Sequence, residues 1–196
     1  MSSDDLNPVS YVVLGLLSRD GPSTAYELKS AVGRGIAHFW PFPHSQIYAE
    51  TERLARMGLL AEEREHGGRR RRVYRIAAPG QAALRGWLAD PGASEVQYRS
   101  LALLKLFFGQ FASSADDVAR LAAAQVDAYR EMLSIYEALL ERLRARGDRP
   151  WQLTVGELLL DAHKVAAEHW TAIARRTARA SARSRPRPAR RRAARS

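Results

Sequence analysis

Residues 44–76, HSQIYAETERLARMGLLAEEREHGGRRRRVYRI, decide the fold. From about His44 to Met57 the pattern is helical. At 100° per residue, Ile47, Thr51, Leu54 and Gly58 share one face, and Ser45, Ala49, Glu52 and Arg56 the opposite one. Tyr48 lies on one border, Gln46 and Arg53 on the other, and Gly58 stops the helix. Two β-compatible runs follow, 60–64 and 71–76, flanking the turn signal His66-Gly67-Gly68. The segment therefore reads as a helix with a thin core face and a small or polar outward face, followed by one β-hairpin.

Working outward, residues 9–19 (VSYVVLGLLSR) are an apolar helix closed by Asp20-Gly21-Pro22. A second helix opens at Thr24, where Thr24-Ala25-Tyr26-Glu27 has the Thr-x-x-Glu form of a capping box. It carries Tyr26, Leu28 and Val32 and ends near Gly33 or Gly35, before a linker with Trp40, Pro41 and Pro43. Downstream, Pro79-Gly80 opens a fourth helix through Leu88, and Asp90-Pro91-Gly92 marks a boundary. The remainder reads as helical: an apolar stretch from Tyr98 to Phe111, a long helix over 116–146, a break at 146–150, and a further helix over 154–176. Ala122, Tyr129, Tyr136 and Leu143 recur at sevenfold spacing with Met132 and Leu139 between them, and Leu133 and Leu140 widen the stripe. The last helix carries Leu158, Ala162, Val165, His169 and Ile173 on one side.

The expected fold class is mainly α with a small β-hairpin: an N-terminal winged helix-turn-helix over 1–90, a C-terminal helical dimerisation and effector domain over 95–176, and a disordered, low-complexity Arg-rich tail over 177–196. The stripe assigns Tyr129, Met132, Leu133, Tyr136, Leu139, Leu140 and Leu143, with Trp170, to a dimer interface.

Composition narrows the function. With 46% hydrophobic residues the 196-residue chain can bury a core. It has no cysteine, which excludes disulfide frameworks, thiolate zinc sites and cysteine nucleophiles and fits a reducing cytosol. Apolar runs such as Val12 to Leu17 are too short to cross a bilayer, and Asp4 and Asp5 stand where a secretory signal carries positive charge, so a cytoplasmic, nucleoid-associated protein is expected. Residues 175–196 hold ten arginines and no acidic residue, so the whole net charge of +10 sits in the tail. That tail admits three readings: an auxiliary DNA arm, a contact for RNA or another polyanion, and drift under an arginine-rich coding bias. Asp161, His163, Glu168 and His169 have metal-type side chains, but His163 and Glu168 point to different faces and no His-x3-His pair exists; no metal site or cofactor is expected. No nucleophile triad, phosphate loop or carboxylate pair stands out, so no enzymatic activity is expected.

These residues bring a family into view. Val13-Leu14-Gly15-Leu16-Leu17, Gly21-Pro22 and Ala25-Tyr26-Glu27-Leu28, then Trp40, His44-Ser45-Gln46-Ile47-Tyr48, Leu54, Gly58-Leu59, Tyr74-Arg75-Ile76 and Gly80, resemble in order the PadR family of transcriptional regulators. The long helical remainder resembles its larger size class. Ala25, Ala49 and Ala77 depart from a common glycine, proline and capping threonine, and the arginine tail is outside the family pattern. The resemblance implies a homodimer on an inverted-repeat operator of double-stranded DNA, usually a repressor, released by a small-molecule effector or another signal. It also implies that Tyr48 lies at the DNA surface, where its hydroxyl can hold a phosphate.

A helix entering the major groove presents short or hydrogen-bonding residues near its N-terminus. Here these are His44, Ser45, Gln46, Tyr48 and Ala49; Gln46 can pair with adenine, and Ser45 and His44 equally read as helix caps. Arg53 and Arg56 read as backbone clamps or a solvated face, and Glu52 can accept from cytosine. Tyr26 on the second helix completes the set. In the hairpin, Arg69, Arg70 and Arg71 are assigned to DNA, while arginines further along the strand are expected to pair with Glu62, Glu63 and Glu65. Two other classes remain open: a non-specific architectural DNA-binding protein dominated by the tail, and a winged-helix protein adaptor.

Overall fold

A computed structural model of the chain describes residues 6–64, 71–92, 99–147 and 149–184. The chain divides into two units, Met1–Glu95 and Val96–Ser196.

The first unit contains α1 (Pro8–Asp20), α2 (Ala25–Gly33), a 3-10 turn (Ile36–His38), α3 (Ser45–Arg56), β1 (Leu60–Arg64), β2 (Arg72–Ile76) and α4 (Ala78–Ala89). The strands pair antiparallel with Leu60 opposite Ile76 and Glu62 opposite Tyr74. Ser23, in the turn before α2, bridges Tyr74 through Ser23 N to Tyr74 O at 3.0 Å and the reverse bond at 2.9 Å. This pins the hairpin to the start of the helix-turn-helix. Beneath it lies one apolar cluster: Val13, Leu14, Leu16 and Leu17 of α1, Leu28 and Val32 of α2, Ile47 and Leu54 of α3, then Leu59, Leu60 and Tyr74. Full burial of each such aliphatic side chain is worth about 1.5–3 kcal/mol, so this cluster dominates the unit's stability.

Local signals set the helix ends. Asn7 caps α1, its side chain accepting from Val9 N at 2.9 Å and Ser10 N at 3.1 Å, while Asn7 N donates to Ser10 Oγ at 3.0 Å. The capping box on α2 is formed, with Thr24 N donating to Glu27 Oε2 at 2.8 Å and Glu27 N to Thr24 Oγ1 at 3.2 Å. The end of α3 corrects the sequence reading. Gly58 does not extend the core face; it lies outside the helix, exposed, at φ 71°. Gly58 N bonds Ala55 O and Leu59 N bonds Leu54 O, both at 3.0 Å, which is a Schellman closure requiring a left-handed residue. The fourth buried position of α3 is Glu50.

In the second unit α5 (Leu101–Phe107) and a 3-10 turn (Gly109–Phe111) precede two long helices, α6 (Ala115–Arg146) and α7 (Pro150–Ser184). Gly147 ends α6 at φ 71°, and α7 returns antiparallel along it. Tyr136 and Leu140 of α6 are fully buried against α7, and a Cβ on the buried Gly156 would sit 2.8 Å from Leu140 Cδ2, so the two backbones approach closely there. Trp170 packs in a cluster with Ala102, Ala122 and Val126. The stripe assigned to a dimer seam is therefore largely covered within the chain: Tyr136, Leu140 and Trp170 are buried, and Tyr129, Met132, Leu133, Leu139 and Leu143 are half-buried. Helix α7 starts four residues earlier than expected and runs to Ser184, so 177–184, expected as disordered tail, are helical; alanine and arginine are strong helix formers. The rest of the tail, 185–196, lies outside the described residues.

Two glycines of α4 predict opposite outcomes. A Cβ on Gly80 would meet Leu59 O at 2.3 Å, whereas one on Gly86 meets nothing within 4 Å. Gly80→Ala is expected to destabilise the first unit by about 1–3 kcal/mol because the clash is with backbone, outweighing a gain in helix propensity of about 1 kcal/mol. Gly86→Ala is expected to stabilise it by about 0.5–1 kcal/mol. Thermal unfolding of the full chain checks both signs.

Candidate nucleic-acid interface

Helix α3 presents a continuous exposed row: His44, Ser45, Gln46, Tyr48, Ala49, Glu52 and Arg56. Tyr26 on α2 is also exposed, at 66%. Neither His44 nor Ser45 makes a side-chain cap; the first turn of α3 is closed by backbone instead, Gln46 N donating to Pro43 O at 3.0 Å and Ile47 N to His44 O at 3.2 Å, which leaves both side chains unused at the helix start.

Under this row lies a polar network that the sequence reading missed. The Glu50 side chain is only 8% exposed. Arg53 grips it with both ends of its fork, Nε to Oε2 at 2.9 Å and Nη2 to Oε1 at 2.7 Å, and also reaches Ser10 Oγ of α1 at 3.1 Å. Ser10 Oγ donates to Glu50 Oε1. Burial pushes the Glu50 pKa up, but the hydrogen bonds from Arg53 and Ser10 and the Arg53 charge outweigh it and hold the carboxyl below its ordinary value. Arg53, expected as a backbone clamp, is thus a bolt between α3 and α1. The signal was present in the sequence: positions 47, 50, 51 and 54 are the i, i+3, i+4, i+7 face of a helix.

The wing arginines are partnered too. Arg71 Nη2 lies 3.2 Å from Glu27 Oε1 on α2, and the Glu27 carboxyl is held below its ordinary value first by the Thr24 backbone and hydroxyl, then by Arg71. Arg72 bridges Glu52 of α3 at 3.0 Å and Glu62 of β1 at 3.7 Å, and Arg75 pairs with Glu63. The expected pairing with hairpin glutamates holds for Arg72 and Arg75, while Arg71 and the second arm of Arg72 reach the two helices instead. These pairs are about half exposed, so they are weak and screened by salt, and a phosphate can displace the glutamates. Arg69, Arg70 and Glu65 lie outside the described residues.

In the second unit, His163 donates from Nδ1 to Leu159 O at 2.7 Å, and its ring meets that of Tyr136 edge to face, with centroids 4.8 Å apart. Burial pushes the Tyr136 pKa up. A groove of about 380 Å³ is lined by Leu133, Lys164, Ala167, Glu168, Thr171 and Arg175 among others. Among the described residues no three His, Asp or Glu side chains come together as metal ligands, and no helix is long and apolar enough to cross a membrane.

Residues 13–86, most of the first unit, match the Transcriptional regulator PadR-like family. Over those residues the chain is similar to this family. The Negative transcriptional regulator PadR of Bacillus subtilis (strain 168) is 28% identical over 102 residues, 51% of this chain and 56% of that protein, so the match spans little more than half of its length. The crystal structure of Bacillus subtilis PadR in complex with operator DNA has a TM-score of 0.77 at 22% identity, covering 87% of this chain and 99% of that one. The complex of the same protein with p-coumaric acid gives 0.71 at 22% identity, covering 88% and 98%. At such identities the likeness establishes the fold, a mainly helical winged-helix architecture. The departures from the PadR-like pattern have local consequences: with Ala77 before it, α4 has no side-chain cap and begins on Pro79 in its first turn.

The Glu50 network generates a pH prediction for this PadR-like unit. A carboxyl whose folded pKa is lowered stabilises the fold above its ordinary value, 4.5, and that stability disappears as pH falls through the lowered value. Glu50→Gln is expected to lower stability at pH 7 and to flatten the loss as pH falls below 4.5, since the neutral amide has nothing to titrate. Glu50→Ala is expected to cost about 2–3 kcal/mol at pH 7, less than for a fully buried pair because Arg53 regains water. Urea unfolding at stepped pH measures both.

Proposed function

We propose that this chain is a homodimeric transcriptional repressor that binds an inverted-repeat operator and releases it on binding a small anionic effector. The observation that carries the DNA reading is the α3 row. Gln46, Tyr48 and Ala49 are exposed around an uncapped helix start, while the opposite face is locked to α1 by Ile47, Thr51, Leu54 and Glu50. A rigid helix with short and hydrogen-bonding residues at its leading end suits entry into the major groove. Gln46 reads a base, Ser45 and His44 bind base or phosphate, and the Tyr48 hydroxyl and Arg56 hold the backbone. Tyr26 and the wing residues Arg69, Arg70 and Arg71 flank these contacts on phosphates. Glu52, held by Arg72, accepts from cytosine and repels mispositioned phosphates.

The dimer reading now rests on a different surface from the α6 stripe. Trp151, Val155, Leu158, Ala162 and Val165 are exposed at helical spacing along the outer side of α7, and Leu101, Leu104, Phe107 and Phe111 are exposed in and just after α5. So large an uncovered apolar area is what a subunit interface requires. A dimer on an inverted repeat presents its two α3 helices about 34 Å apart, one turn of duplex. Lys164 and Arg175 in the α6–α7 groove suit a small organic anion, and the relative's complex with p-coumaric acid makes an effector of this kind reasonable. The protein acts by binding rather than catalysis, as a cytoplasmic, nucleoid-associated regulator.

Fluorescence anisotropy of the full chain on the duplex upstream of its own gene, against a scrambled duplex, tests the reading. Preference for the upstream duplex is expected. Gln46→Ala is expected to weaken that binding about tenfold, about 1.4 kcal/mol, and to leave scrambled-duplex affinity nearly unchanged. Equal affinity for both duplexes overturns sequence recognition. For the dimer, Leu158→Glu is expected to convert a dimer into a monomer in sedimentation at micromolar concentration; a wild-type monomer there overturns it.

A further inference from the structure

On the outward side of α3, Ser45, Ala49, Glu52 and Arg56 fall within an arc of about 60° and form one stripe along the helix. The carboxylate in that stripe is its odd member. A negative side chain on a surface that meets phosphates costs affinity for every duplex unless it finds a donor. Glu52 nonetheless stands out into solvent, with 57% of its side chain exposed.

Glu52 is also held from outside its own helix. Arg56, one turn further on, is placed for an i,i+4 pair with it. Among the described residues its ionic partner is instead Arg72 of β2, whose Nη1 lies 3.0 Å from Glu52 Oε1 while Nε lies 3.7 Å from Glu62 Oε1 of β1. Glu52, Ala55 and Arg56 of α3, Leu60 and Glu62 of β1, and Arg72 line one groove of about 310 Å³, and Arg72 spans it. It engages Oε1 of Glu52, which leaves Oε2 to accept from another donor.

The major-groove edges of the bases decide what a fixed carboxylate tolerates. Cytosine offers an amino donor. Guanine offers N7 and O6, and thymine O4, all acceptors that repel it. Adenine sets its amino donor beside N7, which repels the second carboxylate oxygen. Ala49 stands three residues before Glu52, about 4.5 Å of helix rise, which is one to two base-pair steps of about 3.4 Å. Its methyl group has no hydrogen bond to offer and suits the methyl of thymine.

We propose that Glu52, aimed by Arg72 of the wing, selects cytosine in the operator half-site, with thymine selected by Ala49 one or two base pairs away. This deepens the DNA reading given above and rests on it. Arg72 is a positioning residue: it acts through Glu52, fixing one carboxylate oxygen and offsetting its charge towards the phosphates.

The test is selection of bound sequences from a randomised duplex library by the full chain, followed by anisotropy on the selected duplex with each base changed in turn. The wild type is expected to prefer cytosine about tenfold over the other bases at one position of each half-site. Glu52→Gln is expected to move that preference to adenine, because an amide pairs with both N6 and N7, and to leave the other positions as they were. Glu52→Ala is expected to abolish the preference without moving it. Arg72→Gln is expected to reduce it to about twofold, and Arg72→Lys, which keeps the charge, to restore part of it. A salt bridge that only stabilised the fold would lower affinity for all duplexes by one factor and move no base preference. Both side chains are about half exposed, so the melting temperatures of the variants are expected to move little. If the wild type and Glu52→Gln select the same base at every position, the proposal is overturned and the DNA reading stands. An unchanged cytosine preference in Arg72→Gln overturns the positioning role, and indifference to the bases one and two pairs from the cytosine overturns the part given to Ala49. Selection of no sequence by the wild type overturns the DNA reading itself.

Discussion

The contact between α3 and α1 is the constraint on which the rest depends. A reading helix must hold its leading end to within a fraction of an ångström, because a base-edge hydrogen bond fails outside a narrow range. Apolar packing through Ile47 and Leu54 supplies adhesion but little direction. The Glu50–Arg53–Ser10 arrangement adds direction: a forked guanidinium on a carboxylate, with a serine hydroxyl from the facing helix, has one good geometry. Ser10 also takes part in the capping of α1 by Asn7, so the start of α1 and the middle of α3 are fixed by the same hydroxyl. A buried ion pair is a poor source of stability, and registering two helices is its better-attested use.

Above that anchor the charges are arranged differently. Glu27, Glu52, Glu62 and Glu63 face Arg71, Arg72 and Arg75 in exposed pairs that salt screens. On phosphate the arginines exchange one oxyanion for another, so each glutamate subtracts from the gain of binding any duplex indiscriminately. On the proposed DNA reading, pairing lowers non-specific attraction in the first unit and leaves discrimination to Gln46 and its neighbours. The acid–base balance of residues 1–174 has the same sense: the body has no net charge with which to collect DNA at random.

What the sequence made legible follows from which signals are local. The Thr24–Glu27 box, the Gly58 stop and the alternation of the hairpin are local rules, and the structure has them within a residue or two. Glu50 was missed because a carboxylate is assigned to the surface by default, and its burial depends on a serine forty positions away. Arg53 reads in the sequence as a DNA clamp or a solvated face for the same reason: nothing adjacent in sequence reveals its partner in α1. For α6 the period shows in the sequence, but the covering element does not. A heptad-like stripe states that a helix is covered along one side, but the covering element is α7 of the same chain.

Once α7 has covered the α6 stripe, the remaining apolar surface is on the other side of α7 and around α5, where Trp151, Leu158, Phe107 and Phe111 stand exposed. Helix α7 is then used on all sides: one face packs within the chain, one is apolar and uncovered, and its final turns carry only small residues and arginine. The change of character near Arg175 is abrupt, because apolar residues that would extend either packed face stop at Ile173. Helix beyond that point has no core to hold it, and its arginines repel one another at helical spacing.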